Sequence, residues 1–260
     1  MRVTVFTSNQ PRHLAFIERL AAVAEEVYAV VETTTAFPGR VEDFYRKSPA
    51  MQLYFSRVLE AEVSLFGLQR PLPQNVRVLP VKMGDLSLLG EDQLASVMTS
   101  EHYLVFGSSF IRGWLADTLV NRRAINIHMG LSPYYRGTAC NFWALYDDRP
   151  AFVGATVHLL SRGLDNGPIL FHVRPNFYGQ DPFLFTMQAV EQVQIEIGER
   201  MAQGVLGSLT PIDQDKALEL RYSRNRDFTD EIASEFLQRA ISSEDLRKSL
   251  ESSSGPELRT

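Results

Sequence analysis

Residues 1–31 read MRVTVFTSNQPRHLAFIERLAAVAEEVYAVV, and this stretch decides the fold class. Its first part, Arg2–Phe6, is short and β-branched and precedes a polar loop, which is typical of a strand. From Arg12 to Glu25 the apolar residues recur at helical spacing. Val27–Val31 is again apolar and β-branched. A strand, a helix and a second strand in succession predict an α/β fold with a parallel sheet.

The same alternation continues along the chain as far as residue 210. Further strands are predicted at Val76–Val81, His102–Phe106, Ala124–His128, Phe152–Leu160 and Ile169–Val173. Further helices are predicted at Val41–Phe66, Asp92–Met98, Gly113–Leu119, Thr138–Tyr146 and Pro182–Leu206. We therefore expect residues 1–210 to form one doubly wound, mostly parallel, Rossmann-like α/β domain.

Residues 211–260 are more polar and predict a short C-terminal α/β extension. Within it, Leu218–Tyr222 favours a strand and Asp227–Arg239 favours a helix with one apolar stripe. From Ser252 onward the serine-rich tail is typical of a frayed chain end.

Bulk composition narrows the class of protein. The chain has 45% hydrophobic residues and a net charge of −5, which argues against a nucleic-acid partner. Cys140 is the single cysteine, a usage that suits the reducing cytoplasm. The sequence shows no signal peptide and no apolar run long enough to span a membrane. These features predict a cytoplasmic protein.

The chemistry-bearing segment lies between residues 126 and 170. Asn126 and His128 stand two residues apart at the end of an apolar strand, so their side chains project to the same face. At the carboxyl end of a parallel strand, that face opens into the crevice where α/β folds bind ligands. Asp165 follows in the tight-turn sequence Leu164–Gly167, from which a carboxylate could reach the imidazole. Taken singly, an amide–histidine pair or an Asp-Asn-Gly turn is more often structural.

The order of these motifs is more specific than any one of them. It resembles the formyltransferase family that uses 10-formyltetrahydrofolate, whose signature is Asn-x-His, a Ser-Leu-Leu-Pro-x-x-x-Gly loop, a Thr-x-His strand and Leu-Asp-x-Gly. The matching residues are Leu104–Gly107, Asn126–His128, Gly130–Pro133 with Gly137, Thr156–His158 and Leu164–Gly167. Gly130 and Ser132 replace the usual Ser and Leu, which puts substrate detail in doubt more than catalysis.

The resemblance implies transfer of a formyl group from the folate to a primary amine without a metal. Asn126 would stabilise the developing oxyanion, His128 would transfer protons, and Asp165 would orient the imidazole or a water relay. The folate pocket would include Phe106, Gly107, Ser108, Gly137 and Asp165. For His158 a hydrogen-bonding role is at least as good an interpretation as chemistry, and Cys140 is interpreted as a core residue.

The finer resemblance is to the branch that formylates amino sugars linked to a nucleotide diphosphate. Two stretches carry it, Asn141–Leu145 and Arg221–Phe228. Within the branch, the short enzymes that act on GDP-perosamine in bacterial O-antigen synthesis are the most similar. The resemblance also implies a homodimer.

Candidate residues for the nucleotide sugar supply cationic and amide donors for a diphosphate and aromatic rings for a base. They are Asn9, Gln10, Arg12, Tyr134, Tyr135, Arg136, Asn141, Trp143, Tyr222 and Arg224. For the arginine-rich tail a solvated surface is an equally good interpretation, and for the loop residues 134–136 so is simple packing.

Other acceptors remain open at this point. Enzymes of the family that act on glycinamide ribonucleotide carry a glycine-rich loop after the first strand, whereas Thr7–Arg12 contains no glycine. Methionyl-tRNA formyltransferases add a larger C-terminal domain and favour a basic surface, so residues 211–260 disfavour that branch. A formyltetrahydrofolate hydrolase would use the same three residues with water, although it usually carries a further N-terminal domain. A non-catalytic folate or nucleotide-sugar binder is disfavoured because all three residues are retained.

Overall fold

A computed structural model describes residues 1–35 and 48–259 of the chain. In this part, seven strands form one sheet in the order β3-β2-β1-β4-β5-β7-β8, and β6 pairs with β9 in a second, two-stranded sheet. The strands are β1 Arg2–Ser8, β2 Glu26–Thr33, β3 Val76–Lys82, β4 His102–Val105, β5 Ile125–His128, β6 Tyr135–Gly137, β7 Ala155–Leu159, β8 Ile169–Val173 and β9 Arg221–Ser223.

Strand direction divides the large sheet into two parts. Strands β3, β2, β1, β4 and β5 are parallel to their neighbours, whereas β7 is antiparallel to both β5 and β8. The sheet is therefore mostly parallel, as the sequence predicts. After β1 the chain first adds β2 and β3 on one side and then β4 and β5 on the other. The carboxyl ends of β1 and β4 therefore border a crevice at this switch point.

The helices cover both faces of this sheet. They are α1 Pro11–Val23, α2 Pro49–Phe66, α3 Glu91–Leu94, α4 Gly113–Asn121, α5 Cys140–Tyr146, α6 Pro182–Ala202, α7 Asp230–Gln238 and α8 Ser243–Ser252. Proline occupies the first turn of α1, α2 and α6, where its missing N–H costs nothing. None of the helices in the described ranges is long and apolar enough to cross a membrane.

Element boundaries differ from the sequence expectation in identifiable ways. Residues 41–47 of the helix predicted from Val41 lie outside the described residues, and α2 begins at Pro49 behind the N-cap Ser48. The strand predicted from Phe152 begins only at Ala155, because Pro150 opens a short 3₁₀ turn over residues 150–152. The helix predicted to reach Leu206 ends at Ala202.

The segment after residue 210 packs against the sheet domain. Strand β9 pairs in parallel with β6, and α7 adds Phe236 to an aromatic cluster that includes Phe142 and Trp143. Helix α8, which the sequence analysis missed, begins at a Ser242–Asp245 capping box. Residues 253–259 form no further helix or strand. The Arg259 guanidinium donates to the carbonyl of Leu170 at 2.7 Å, because β8 is an edge strand with open backbone acceptors.

Candidate active site

A cavity of about 1160 Å³ opens at the carboxyl ends of β1, β4 and β5. The three residues expected to act in catalysis, Asn126, His128 and Asp165, all line it. So do the five residues expected to hold the folate, Phe106, Gly107, Ser108, Gly137 and Asp165. These residues meet in one cavity because the parallel strands β1, β4 and β5 end at the same edge of the sheet, and because the loop between β7 and β8 brings Asp165 to His128.

Asn126 on β5 is oriented by His158 on β7. The two residues are direct cross-strand partners, and the Asn126 amide nitrogen lies 3.0 Å from His158 Nε2. His158 Nδ1 donates to the Leu159 carbonyl at 2.8 Å, so its Nε2 is the acceptor. Burial lowers the pKa of His158 to about 4, and the ring therefore stays neutral near pH 7. His158 thus fixes which way the amide of Asn126 points.

His128 is held between two acceptors. Its Nε2 lies 3.2 Å from the Tyr135 carbonyl, and its Nδ1 lies 3.4 Å from Asp165 Oδ2. The side chain is only 6% exposed, so water competes little for either nitrogen. A neutral ring can donate through one nitrogen only, whereas the imidazolium donates to both partners. An imidazolium at this position would therefore have an acceptor at each nitrogen.

Asp165 lies on the loop between β7 and β8 and contacts both Asn126 and His128. Its Oδ1 accepts from the Asn126 amide at 3.4 Å while its Oδ2 faces His128. The backbone of Asp165 adopts a φ of 48°, in the left-handed region that most residues avoid. We call Asn126, His128, His158 and Asp165 the catalytic wall of the cavity. Within the described ranges, no group of three or more His, Cys, Asp or Glu side chains could hold a metal ion.

Residues 106–109 follow β4 and line the cavity, and we call them its floor. Side chains packed behind this loop hold it in place. Gly107 has a φ of 71°, and a Cβ at this position would collide with the His13 imidazole, so only glycine fits. Beside it, the buried carboxylate of Glu32 accepts from the Ser109 hydroxyl at 2.7 Å and from the Gly84 amide at 2.8 Å. The sequence analysis did not single out His13 or Glu32, because their partners are remote in sequence.

The opposite side of the cavity is formed by the loop after β1 and by α2. Gln10 and Arg12 line the cavity there, as does Glu62. The Arg12 guanidinium lies 2.8 Å from Glu62 Oε1, and the Arg12 backbone amide donates to the same oxygen at 3.1 Å. Glu62 is 1% exposed, and its Oε2 has no hydrogen-bond partner among residues 1–35 and 48–259. We call Gln10, Arg12 and Glu62 the β1 wall.

Asn9 does not line the cavity, contrary to its place among the candidate ligands. Its side chain accepts from the Thr34 backbone amide at 2.9 Å and donates to the Thr34 carbonyl at 2.8 Å. The residue therefore ties the loop after β1 to the end of β2. Gln10, its neighbour, also donates to Thr34, through the hydroxyl, at 2.8 Å.

The structure places the candidate ligands of the signature loop and α5 outside the cavity lining. Tyr135 and Trp143 are buried in the aromatic cluster, and the Arg221 guanidinium covers the Trp143 ring at 4.3 Å. Asn141 uses its side-chain oxygen to accept from the Gly154 amide. That these three bind the nucleotide sugar stays a prediction, and in this structure their side chains are held by contacts within the protein.

Four further candidates, Tyr134, Arg136, Tyr222 and Arg224, also lie outside the cavity lining. Tyr134 packs its ring on Phe152, and Arg136 pairs with Glu219 at 2.8 Å. Tyr222 and Arg224 are exposed and do not line the cavity. Asn225, the next residue along, does line it. For this tail, the solvated surface is therefore the better interpretation.

The departure at Gly130 from the family signature has a local cause. A Cβ at Gly130 would lie 2.7 Å from His128 Nε2 and would collide with the Cβ of Cys140. Glycine at this position therefore leaves space for both the Cys140 side chain and the imidazole. Burial raises the pKa of the Cys140 thiol, which is consistent with a core residue and not with a nucleophile.

Comparison with known proteins supports the family resemblance that the sequence motifs indicate. Residues 104–193 match the family model described as Formyl transferase. The methionyl-tRNA formyltransferase of Thermosynechococcus vestitus is 38% identical over 87 residues, which span 28% of this chain and 26% of that relative. The chain therefore matches this curated relative over little more than a quarter of the relative's length.

Two solved structures cover most of the chain. A sugar N-formyltransferase from a Shewanella species has a TM-score of 0.53 and 19% identity, over 88% of this chain and 78% of that one. An N-formyltransferase from Helicobacter canadensis, solved with folinic acid and dTDP-3-aminofucose, has a TM-score of 0.53 and 11% identity, over 88% and 73%. At this identity the likeness concerns the fold.

Fold and site together define an α/β domain whose cavity is lined by a histidine–aspartate pair. Residues 104–193 match the formyl transferase family model, and the chain has the fold of the solved sugar N-formyltransferases. The family resemblance drawn from the sequence motifs is thereby confirmed.

Proposed function

We propose that this protein transfers the formyl group of 10-formyltetrahydrofolate to the amine of a nucleotide-linked amino sugar. The observation that carries the proposal is the convergence of Asn126, His128 and Asp165 on one wall of the cavity. The Asp165 carboxylate lies 3.4 Å from the Asn126 amide nitrogen and 3.4 Å from His128 Nδ1. That wall belongs to the segment that matches the formyl transferase family.

The polar atoms of the catalytic wall suit attack of an amine on a formyl group. When bound, the folate supplies the formyl carbon, and N10 is the leaving nitrogen. Negative charge then develops on the formyl oxygen, which needs a preorganised donor. One N–H of the Asn126 amide donates to His158 at 3.0 Å, and the other, which makes only the long 3.4 Å contact to Asp165, would turn to that oxygen. His128, backed by Asp165, accepts and returns the protons that the amine loses and N10 gains.

The cavity and its floor fit a folate. The backbone of Phe106, Gly107 and Ser108 lines the cavity without a side chain at Gly107, so a flat heterocycle can lie against backbone groups. The volume of about 1160 Å³ exceeds the roughly 300–1,000 Å³ that a single small ligand needs. Room for a donor and an acceptor together supports a two-substrate transfer.

The β1 wall supports a polar, anionic acceptor. Arg12 presents a guanidinium with five N–H donors, of which Glu62 engages the NH1 group. Gln10 adds an amide beside it. Guanidinium and amide donors are the groups that bind phosphate oxygens. The solved relative from Helicobacter canadensis holds a nucleotide-linked amino sugar, which favours the same acceptor class here.

In its finest form, the proposal names GDP-perosamine as the acceptor, a homodimer as the assembly and O-antigen synthesis in the cytoplasm as the setting. It rests on the sequence resemblance alone. Methionyl-tRNA is the second acceptor to test, because the curated relative of known acceptor is a methionyl-tRNA formyltransferase. Its matched segment spans 26% of that protein and therefore cannot identify the acceptor.

A coupled assay tests the proposal. Purified protein is mixed with 10-formyltetrahydrofolate and, separately, with nucleotide-linked 3-amino and 4-amino sugars including GDP-perosamine, with methionyl-tRNA, and with no acceptor. We expect one sugar to gain the mass of a formyl group, and the His128→Ala variant to lose this product. Formylation of methionyl-tRNA alone would replace the sugar acceptor, and formate release without an acceptor would identify a hydrolase instead.

A further inference from the structure

The loop that carries Asp165 depends on contacts from outside itself. Asp165 occupies a left-handed backbone conformation, which persists only where the surrounding structure fixes it. Within residues 161–167, the Ser161 hydroxyl bonds Gly163 and Asn166, but neither contact holds Asp165. A second element must therefore set the backbone on which the catalytic carboxylate stands.

Gln214 supplies that contact. Its side-chain nitrogen donates to the Asp165 carbonyl at 3.0 Å and to the Gly167 carbonyl at 2.8 Å. Because both partners are acceptors, they also determine which end of the amide faces the loop. One side chain thus spans both sides of residue 166 and fixes the turn at its two ends.

Gln214 is itself placed by the main chain two residues earlier. Ile212 forms an antiparallel bridge with Ile169 of β8, with backbone hydrogen bonds of 2.7 and 2.9 Å. The segment after residue 210 thus runs beside the edge of the sheet where the Asp165 loop returns to β8. On the other side of the loop, Gly167 has no room for a side chain against the Leu159 carbonyl. The loop is held between the sheet and Gln214.

A second contact from the same segment acts on the same loop. Arg136 donates to the Leu164 carbonyl at 3.2 Å and is paired with Glu219 at 2.8 Å. Arg136 lies on β6, which pairs with β9 of the C-terminal segment. Residues 212–223 therefore contact the loop directly through Gln214 and indirectly through Arg136.

We infer that Gln214 is a positioning residue for catalysis: it holds the backbone of Asp165 so that the carboxylate meets both His128 and Asn126. The inference rests on the proposed function of the site. It assigns a role to the C-terminal segment, which stabilises the geometry of the catalytic loop from outside the segment that matches the family.

The test removes the two donors without changing the length of the side chain. In Gln214→Met we expect kcat to fall about tenfold, as for the loss of two hydrogen bonds, with the KM for folate nearly unchanged. Amide hydrogen exchange across residues 161–167 becomes faster in the same variant, without any substrate present. Gln238→Met, on the exposed side of α7, is the matched control and leaves both quantities unchanged.

A double-mutant cycle separates positioning from general destabilisation. If Gln214 acts through Asp165, Gln214→Met lowers kcat less than about twofold in an Asp165→Asn background. An equal fractional loss in both backgrounds, or unchanged exchange in residues 161–167, overturns the inference. If the wild-type protein formylates no acceptor, the proposed function fails, and the exchange measurement alone then decides whether Gln214 holds the loop.

Discussion

The catalytic wall and the β1 wall face the same cavity but use charge in different ways. On the catalytic wall, a single carboxylate, Asp165, faces a histidine that gains a second donor when it takes up a proton. On the β1 wall, Glu62 and Arg12 form an ion pair whose charges offset each other. The first arrangement contains an imidazole that can accept and donate a proton, whereas the arginine of the second keeps its charge.

This difference indicates where chemistry and binding are divided. A histidine between two acceptors can move a proton, and its partners lie within 3.4 Å. An arginine does not lose its proton, so it can only orient and bind. Variants of the two walls should therefore differ in which kinetic constant they change.

The largest effect is expected on the catalytic wall. His128→Ala removes the proton carrier, and we expect kcat to fall about a thousandfold with a change of only a few-fold in either KM. The control is His102→Ala, since His102 begins β4 at the other end of the sheet and lies outside the cavity lining. Steady-state kinetics with both substrates measure the difference. Comparable losses in the two variants would break the assignment of chemistry to this wall.

The β1 wall should respond in binding and in stability. Glu62→Gln leaves the partly buried Arg12 without its counter-charge, and we expect unfolding to become easier by about 2 kcal/mol, less than for a fully buried pair. The acceptor KM should rise about fivefold because Arg12 loses its fixed orientation, while kcat changes little. Glu60→Gln, which removes an exposed carboxylate from the same helix, is the control. A fall in kcat without a change in acceptor KM would contradict the division between the walls.

The pH dependence of stability sharpens the role of His158. Burial lowers the pKa of His158 to about 4, below the ordinary value of about 6.5, so the unfolded chain binds a proton in this range that the folded protein does not. The stability contributed by this group is complete above pH 6.5 and is lost as the pH falls towards 4, by about 3 kcal/mol in all.

His158→Gln should therefore reduce the dependence of the free energy of unfolding on pH. The glutamine oxygen can still accept from Asn126 but does not titrate in this range. From urea unfolding, we expect the free energy of unfolding to fall less between pH 7 and pH 5 in the variant than in the wild type. Above pH 7 the two proteins should show the same dependence on pH. Identical curves at both pH values would show that His158 is not buried as a neutral ring.

The smallest effect is expected at the C-terminal motif. Arg224 is exposed and outside the cavity lining, so Arg224→Ala should change the acceptor KM less than twofold. Asn225 lines the cavity, and Asn225→Ala should raise the KM of one substrate about threefold through the loss of a single polar contact. The two neighbouring variants are each other's control. A larger effect at Arg224 than at Asn225 would show that the arginine-rich tail takes part in substrate binding.

The sequence predicts the features of the fold and site that depend on residues close together in the chain, and it does not predict those that depend on contacts between remote residues. The strand, helix and strand of residues 1–31 follow from local periodicity, and β1, α1 and β2 occur where that periodicity places them. Asn126 and His128 share a face because residues i and i+2 of a strand must. Trp143 and Tyr135 were assigned to binding on residue type, although their side chains are buried in the core. Composition alone does not distinguish a ring that binds a ligand from one that packs.

By itself, the sequence determined the α/β fold class, the pair Asn126 and His128 at a strand end, and the turn that carries Asp165. Only the tertiary structure decided which partners these residues meet. Asp165 reaches Asn126 across 39 residues, Arg12 meets Glu62 across 50, and Gln214 holds the Asp165 loop across 49. The physical reason is that periodicity acts within one element, whereas such contacts depend on how separate elements pack at the edge of one sheet.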